Sequence, residues 1–189
     1  ANGTPFCGYA IYANAKSIVP YLNVHGDIYS YYTECEHGIH SDGTSVGIFD
    51  IDMDKVNSGI TLFNLPKGTI NSVYFNRISC YYIGIASSYM DDINTLDIFQ
   101  NTIEQDDPLT GSGIGIGSYD FGVYKRNINI FNNNVSIKRG TTAIELIGTR
   151  RNNVVGNIID LTQSIPDPNF AFAGVSAEAC SENNIACNY

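Results

Sequence analysis

The chain has 189 residues, which corresponds to one domain at roughly 150 residues per domain. Hydrophobic residues make up 43% and charged residues only 15%, a balance that excludes a disordered chain and a coiled coil. The net charge of −9, with ten Lys and Arg, argues against nucleic acid or an anionic membrane as a partner, because both need a basic surface. No apolar run approaches the roughly 20 residues of a membrane span.

The composition favours short strands and many turns. There are 25 Ile against 7 Leu, and 21 Asn with 18 Gly. β-branched residues favour strands, whereas Asn and Gly form turns. The five Cys (7, 35, 80, 180 and 187) show no paired spacing, so we expect no zinc, other metal or cofactor. Cys180 and Cys187 could close a small disulfide loop, although a small core side chain is the default role.

One phrase recurs along the chain: an apolar residue, two further residues, an Asn or Asp marker, one residue, and a second apolar residue. The seven markers are Asp27, Asp54, Asn76, Asn101, Asn133, Asn157 and Asn188, the last in a truncated copy. A short apolar strand precedes each marker. Its copies are Ala10–Ile11, Gly38–Ile39, Gly59–Leu62, Ile83–Ile85, Gly113–Ile116, Ala143–Leu146 and Gly174–Val175.

The two phrases alternate along the chain in seven copies, which predicts an all-β parallel β-helix of about seven coils. No single coil can bury its apolar side, so the coils must stack, and equivalent residues then lie about 4.8 Å apart. A marker Asn can donate to one neighbour and accept from the other, which predicts an Asn/Asp ladder. Asp27 and Asp54 would lie on adjacent rungs, where protonation of one, a cation, water or Lys55 must relieve their repulsion. A helical solenoid does not fit the period-2 alternation.

The prediction is one domain, 1–189. The sequence offers no recognisable cap at either end of the stack. Because an uncapped solenoid end exposes strand edges, we expect either a fragment of a longer chain or ends that dock on other chains.

The stretch 143–159 resembles the repeat of the right-handed, single-stranded parallel β-helix found in pectin-degrading enzymes and phage tailspikes, and the resemblance covers nearly the whole chain. It implies three sheets per coil. The Gly-Ile strand would lie in the first, the strand before the marker in the second and the strand after it in the third. It also implies that a polysaccharide binds along the first sheet, and tailspike relatives would imply a homotrimer.

On the first sheet, the residue after the first Ile should face outward. These residues are Tyr12, His40, Thr61, Gly84, Gly115, Glu145 and Ser176. Gly84 and Gly115 would form a floor beside Glu145. Flanking loops would add carboxylates and aromatic or basic side chains, as glycosidic cleavage requires. The loop candidates are Asp91, Asp92 and Asp120 for catalysis, and Tyr89, Tyr119, Tyr124, Arg150 and Arg151 for binding together with His40.

A second candidate is the segment 34–42, which holds the densest group of ionisable residues in the chain. Glu36, His37 and Gly38 stand where polygalacturonases carry Gly-His-Gly or paired Asp. A catalytic site, a metal site and a solvated turn all remain open for this segment.

A third candidate lies on the outer side of the second sheet. Its residues are His25, Asp50, Asp52, Tyr74, Asp97, Phe99 and Phe131. Asp50 and Asp97 would lie about 9–10 Å apart from strand spacing, at the upper limit of about 6.5–9.5 Å for inverting hydrolysis. The aromatic residues form an apolar stripe, which in exposed form is more often a contact surface than a sugar site.

Several motifs of the pectin-degrading enzymes are missing. The chain has no Asn-Thr-Asp, no Gly-Asp-Asp, no Arg-Ile-Lys and no Trp, and Ser112 stands where a polygalacturonase strand would carry His. Two hypotheses follow. The first is an extracellular or virion-surface protein that binds and cleaves polysaccharide by hydrolysis or lysis. The second is a non-catalytic structural or adhesive module that assembles through the aromatic stripe.

Overall fold

The computed structural model describes residues 7–14, 21–29, 35–66, 68–88, 95–105, 111–117, 125–138, 142–161 and 173–189. All regular structure in these ranges is strand. In chain order the strands are β1 (Cys7–Asn14), β2 (Tyr21–Tyr29), β3 (Cys35–Asp42), β4 (Ser45–Phe63), β5 (Ile70–Tyr74), β6 (Arg77–Ser88), β7 (Thr95–Phe99), β8 (Thr102–Gln105), β9 (Ser112–Gly117), β10 (Lys125–Arg126), β11 (Ile128–Phe131), β12 (Asn134–Ile137), β13 (Thr142–Ile147), β14 (Thr149–Arg150), β15 (Asn153–Val155), β16 (Ile158–Asp160), β17 (Ala173–Glu178) and β18 (Asn184–Ala186).

The strands pair in parallel and build three faces of a parallel β-helix. The first face stacks β1, β3, the end of β4 (58–63), the end of β6 (83–88), β9, β13 and β17. The second stacks the start of β2, the start of β4 (45–49), β5, β7, β11, β15 and β18. The third stacks the end of β2, residues 52–56 of β4, residues 77–80 of β6, β8, β12 and β16. The seven strands of the first face match the expected seven coils.

The core consists of columns of branched apolar side chains, one from each coil. On the first face the register aligns Ile39, Ile60, Ile85, Ile114 and Ile144, and all five are fully buried. Alternation along each strand places such residues inward and polar residues outward. Since strands are about 4.8 Å apart, an Ile from one coil packs directly on the Ile of the next. The excess of Ile over Leu therefore reflects this stacking.

An Asn ladder runs through the corner between the second and third faces. Asn76, Asn101, Asn133 and Asn157 each donate Nδ2 to the Oδ1 of the next Asn, at 2.9, 3.0, 2.9 and 2.8 Å, and Asn188 is the last acceptor. The same Oδ1 atoms also accept the backbone N–H of the preceding rung. The amides are thereby satisfied while buried, and the predicted ladder is confirmed for these five residues.

A left-handed residue precedes each rung of the ladder. The five are Phe75, Gln100, Asn132, Gly156 and Cys187, with φ between 52° and 70°. Only one of them is glycine, although an L-residue in this conformation costs roughly 1–2 kcal/mol. The hydrogen bonds accepted by the ladder Oδ1 atoms offset this cost: two each at Asn101, Asn133, Asn157 and Asn188, and one at Asn76.

The expected positions of Asp27 and Asp54 in the ladder are wrong. The residue whose backbone N–H donates to Asn76 Oδ1, at 3.1 Å, is Ile51, and Ile51 aligns with Gly26. Asp54 instead lies on the third face, three residues beyond the corner. The apolar positions of the phrase fit the chain around Ile51 in two frames, and the frame that places Asp54 at the marker is the incorrect one. The coils that contain Gly26 and Ile51 therefore turn this corner without a side-chain amide.

A second, shorter Asn arrangement supports the corner where the second face begins. Asn71 Oδ1 accepts the N–H of Val46 at 2.9 Å, and Asn152 Oδ1 accepts the N–H of Ile128 at 3.3 Å. Asn152 Nδ2 then donates to Asn183 Oδ1 at 3.0 Å. Leu96 and Ile128 take the same position in other coils, so this ladder is interrupted, which is why the marker phrase did not detect it.

Candidate functional site

The residues that project from the first face follow the stacking register. They are Tyr12, His40, Thr61, Ala86, Gly115, Glu145 and Ser176. The prediction of this row was correct except at Gly84, where the outward residue is Ala86. The row therefore runs from aromatic side chains, across two small residues, to a carboxylate.

Gly84 was misplaced because Ile83 was taken as the first Ile of the strand, whereas the register aligns Ile85 with Ile60 and Ile114. Gly84 is buried, and a Cβ added to it would lie 2.5 Å from Ile103 Cγ2 and 2.7 Å from the Gly113 carbonyl oxygen. Gly38, Gly59 and Gly113 occupy the same inward position in other coils and are also buried. The glycines that open these strands thus allow the third-face side chains to approach the first-face backbone.

One end of the row holds two histidines joined through a hydroxyl group. The Thr61 hydroxyl lies 2.8 Å from His40 Nδ1 and 3.4 Å from His37 Nδ1, and it donates to the Ile39 carbonyl at 3.3 Å. A hydroxyl that donates to a carbonyl must accept from the imidazoles, which favours the Nδ1–H tautomer of both. In that tautomer each Nε2 carries the lone pair that can bind a proton.

Aromatic rings enclose His40. Tyr12 stacks on its imidazole with centroids 5.3 Å apart and planes 13° apart, and Phe63 lies 5.1 Å away on another side. Burial lowers the pKa of His40, the positive charge of His37 lowers it further, and Asp42 raises it. His40 therefore stays neutral at a lower pH than a free histidine.

Glu145 lies at the other end of the row. It is half-buried, and Ser112 Oγ donates to Glu145 Oε2 at 3.3 Å. Four strand spacings separate His40 from Glu145 along the stack, about 19 Å. The histidine group and Glu145 are thus two separate sites on one long surface, with Ala86 and Gly115 in the gap between them.

The predicted arginines lie at the corner that follows the first face. β14, which contains Arg150, pairs with β10, so that Arg150 aligns with Arg126. Arg151 follows in the left-handed region at φ 55°, and its Nε donates to Glu182 Oε2 at 2.7 Å. The hydrogen bond and charge of Glu182 raise the pKa of Arg151.

The predicted pair of Asp50 and Asp97 does not form on one face. Asp50 lies in the corner turn at φ 54°, exposed, because Phe49 rather than Asp50 takes the outward position on the second face. Asp97 does lie on that face, where Asn129 Nδ2 donates to its Oδ1 at 2.7 Å. Asp52 belongs to the third face and lies 3.9 Å from Arg77. The placement of Asp50 and Asp52 on the second sheet was therefore wrong.

The aromatic stripe of the second face is present and gains one member. Phe49, Tyr74, Phe99 and Phe131 stack in order, with centroids 5.2, 4.9 and 4.9 Å apart and interplanar angles of 13°, 0° and 3°. All four are half-buried, and Phe75 beside them is 55% exposed. Since each ring covers the face of the next, only ring edges remain for a ligand between them, which disfavours sugar stacking inside the stripe.

Several predicted residues cannot be placed in this geometry. The candidates Tyr89, Asp91, Asp92, Tyr119, Asp120 and Tyr124 lie outside the described residues. Glu36 and His25 lie in β3 and β2, whose backbone is described there, but their side chains are not. His25 falls at an irregularity in the register between Val24 and Gly26.

The described residues contain no group of three or more His, Cys, Asp or Glu that could hold a metal ion. Cys180 and Cys187 do not form the disulfide that the sequence allowed, and Cys80 is not in a disulfide either. Sequence reasoning missed the contacts of His37, Thr61 and Ser112. Thr61 is the register partner of His40, whereas the His37–Thr61 and Ser112–Glu145 contacts are each offset by three residues from the register. In the ranges that the structure covers, no helix has the length and apolarity needed to cross a lipid bilayer.

In comparisons with known proteins, no family model matches the chain, and no curated protein or solved structure matches it either.

Proposed function

We propose that the protein binds an extended polysaccharide along the first face and cleaves it. The observation that carries this proposal is the outward row itself, which offers aromatic rings at one end, a floor of small residues in the middle and a carboxylate at the other end. Ala86 and Gly115 are small, and the flexible end of the Ile83 side chain covers Gly115, with Cδ1 2.7 Å from where a Cβ would lie. Tyr12, 49% exposed, offers an aromatic surface for the flat side of a pyranose.

Glu145 is the proposed general acid. Ser112 orients its carboxyl group through the hydrogen bond to Oε2. Glycosidases need a second carboxylate within about 5–9.5 Å, as nucleophile or base. Asp120, Asp91 and Asp92, in the segments that follow first-face strands, are the proposed sources. Hydrolysis breaks the C1–O bond and consumes water, whereas β-elimination removes the C5 proton of a uronic acid and breaks the C4–O bond to leave an unsaturated sugar. Both reactions belong to the proposal, and their products distinguish them.

The resemblance to pectin-degrading enzymes and tailspikes supports the polysaccharide class and a place at the cell exterior or on a virion. The missing pectinase motifs argue against the polygalacturonase mechanism. The fold alone carries no activity, since one architecture hosts many functions.

The test is incubation with a panel of plant and bacterial capsular polysaccharides, followed by assays for new reducing ends and for unsaturated products. Glu145→Gln should lower the rate by about 10²–10⁴, the usual contribution of general acid–base catalysis. Glu104→Gln, which makes the same change on the third face, is the matched control. Cleavage at the unaltered rate by Glu145→Gln would remove Glu145 from the mechanism, and no product from any glycan would reject cleavage.

A second candidate function is assembly through the second face. The supporting observation is the ring stack with Phe75 projecting beside it, because exposed apolar stripes are commonly contact surfaces. A homotrimer or other homo-oligomer is the expected product. Phe75→Ser should lower the mass measured by sedimentation, whereas Tyr82→Ser, 46% exposed away from the stripe, should not. A monomeric unaltered protein would reject this candidate.

A further inference from the structure

The last described coil leaves the apolar columns of the stack partly uncovered. One coil earlier, the inward residues Val135, Ile144 and Val154 are fully buried. Their register partners in the last coil are Ile159, Val175 and Ile185. These three line an open cavity of about 380 Å³, and Ile185 is 44% exposed. A further coil on this surface would bury each column, because in a solenoid each repeat covers the apolar side of its neighbour.

The backbone at the same end has free strand edges. Among the described strands, β16, β17 and β18 pair on one side only, with β12, β13 and β15 respectively. Unpaired N–H and C=O groups on a strand edge are a template for another strand. Every pairing in the three faces is parallel, so an added coil that continues the pattern would also run parallel to these strands.

Both Asn arrangements end at this surface on donor groups. Asn157 donates its N–H and Nδ2 to Asn188 Oδ1, and Asn152 donates the same two groups to Asn183 Oδ1. Asn188 Nδ2 uses one hydrogen on the Val154 carbonyl. Among the described residues, no acceptor takes the backbone N–H of Asn183 or Asn188, so both donate toward the position of a next rung.

The chain itself shows which sequence satisfies such a pair of donors. In segments 71–76 and 152–157, Asn stands at both corners and Val stands at the inward position between them. The Oδ1 atoms of these four Asn accept the N–H of the preceding coil. The complementary segment therefore reads Asn or Asp, one residue, Val or Ile, two residues, and Asn or Asp. Its two side-chain oxygens would accept from Asn183 and Asn188, and its apolar residue would lie on Ile185.

A second copy of this chain does not supply that segment. In the first coil, the register places Leu22 and Gly26 at the positions equivalent to Asn183 and Asn188, and neither has a side-chain oxygen. If two copies met through their last coils, the donors of one would face the donors of the other. Neither arrangement satisfies the amides, which argues against self-association through this end.

We infer that the last-coil end (Ile159, Val175, Asn183, Ile185 and Asn188) is a docking surface for a separate protein chain. That partner adds a parallel β-coil with Asn or Asp at both corners and Val or Ile between them. The inference is independent of the proposed polysaccharide function, because this surface faces along the stack axis and not outward from the first face.

The test uses a synthetic peptide with the sequence of residues 142–161, which contains Asn152, Val154 and Asn157 in the required order. It is added to the whole protein, and binding is followed by amide hydrogen exchange and NMR titration. We expect saturable binding below about 1 mM. Exchange should slow at the N–H groups of Asn183 and Asn188, because both gain acceptors. The same peptide with Asn152→Leu and Asn157→Leu keeps the shape but loses both acceptors, and it should bind more weakly.

Asn188→Asp in the protein keeps the oxygen that accepts from Asn157 and removes the side-chain donor that faces the partner. It should weaken binding of the peptide by about three- to ten-fold, the value of one hydrogen bond. Asn184→Asp is the matched control, because Asn184 Nδ2 donates to Asn153 Oδ1 on the second face. It should leave the affinity unchanged. Urea unfolding midpoints of both variants would show whether the fold is retained.

Four results would overturn the inference. The first is the absence of saturable binding below about 1 mM. The second is equal affinity for the peptide that lacks both acceptors, which would remove the role of the two Asn. Slower exchange on the outward faces instead of at Asn183 and Asn188 would place the binding elsewhere. Finally, self-association of the unaltered protein that Asn188→Asp abolishes in sedimentation would make a second copy the occupant.

Discussion

The Asn ladder and the first face show two opposite uses of the same repeat. In the ladder, one residue type recurs in five successive coils, and each amide bonds to its equivalents, so the column is closed along its length to any outside group. On the first face the outward residue changes in every coil, from Tyr12 to His40, Thr61, Ala86, Gly115 and Glu145. Repetition stabilises the stack, and departure from repetition supplies the varied side chains on which the proposed function depends.

The same contrast separates the first face from the second. The stripe on the second face is a repeat of stacked rings with little change. Each ring packs against the next, in the order Phe49, Tyr74, Phe99 and Phe131. His40 also lies among rings, but its own neighbours differ in type, and its Nδ1 lies 2.8 Å from the Thr61 hydroxyl. The surroundings of His40 are therefore more varied than those of any ring in the stripe.

The largest expected effect comes from breaking the ladder in its middle. Asn133→Ala removes the acceptor of the Asn101 N–H and Nδ2 groups and the donor to the Ile98 carbonyl, all of them buried. Leaving such groups unsatisfied should cost about 3 kcal/mol of unfolding free energy. Asn188→Ala, at the last rung and only partly buried, should cost less. Urea unfolding followed by circular dichroism measures both, and equal losses would contradict the cooperative ladder.

The next effect separates inward from outward glycines. Gly84→Ala would place a Cβ 2.5 Å from Ile103 Cγ2 and 2.7 Å from the Gly113 carbonyl oxygen. The carbonyl oxygen belongs to a paired strand and cannot move away without shifting the backbone. We expect a loss of about 2 kcal/mol in the free energy of unfolding, typical of an overpacked core.

Gly115→Ala is the matched comparison on the outward row. Its Cβ would meet only the Ile83 side chain, with Cδ1 at 2.7 Å, and that flexible end can turn away. We expect a loss below about 1 kcal/mol, because only a side-chain rotamer must change. A larger loss at Gly115 than at Gly84, measured by urea unfolding, would contradict the register assigned to this face.

The sequence was sufficient to predict the fold because its information is periodic. Asn76, Asn101, Asn133 and Asn157 share both a residue type and a spacing, and stacked coils bring such amides into one hydrogen-bonded column. The prediction failed at Asp54, where two frames three residues apart fit the same apolar pattern. Nothing local distinguishes them, since the correct frame depends on the bond from Ile51 to Asn76 Oδ1, a contact 25 residues away.

The candidate site was less predictable, because it depends on neighbours in other coils. His40 and Glu145 were recognised from strand alternation alone. The inward position of Gly84 depends on which Ile of β6 aligns with Ile60. The approach of Thr61 to His37 and His40 likewise depends on the register between neighbouring first-face strands. Asp50 was misplaced for a related reason, since the corner begins one residue earlier than strand alternation indicates.

The smallest expected effect is a pH dependence that originates in the first face and is absent from the ladder. Burial, with the charge of His37, lowers the pKa of His40 in the folded protein, so the unfolded chain binds the proton more readily. The contribution of His40 to stability is therefore greatest above the unfolded pKa of about 6.5 and is lost as the pH falls toward the lower folded value. The urea midpoint should decrease from pH 7.5 to pH 5. His40→Asn should decrease less over the same interval, whereas Asn188→Ala should retain the full slope because it removes no titrating group. An unchanged slope in His40→Asn would assign the pH dependence to other groups and would show that the rings around His40 do not exclude its charge.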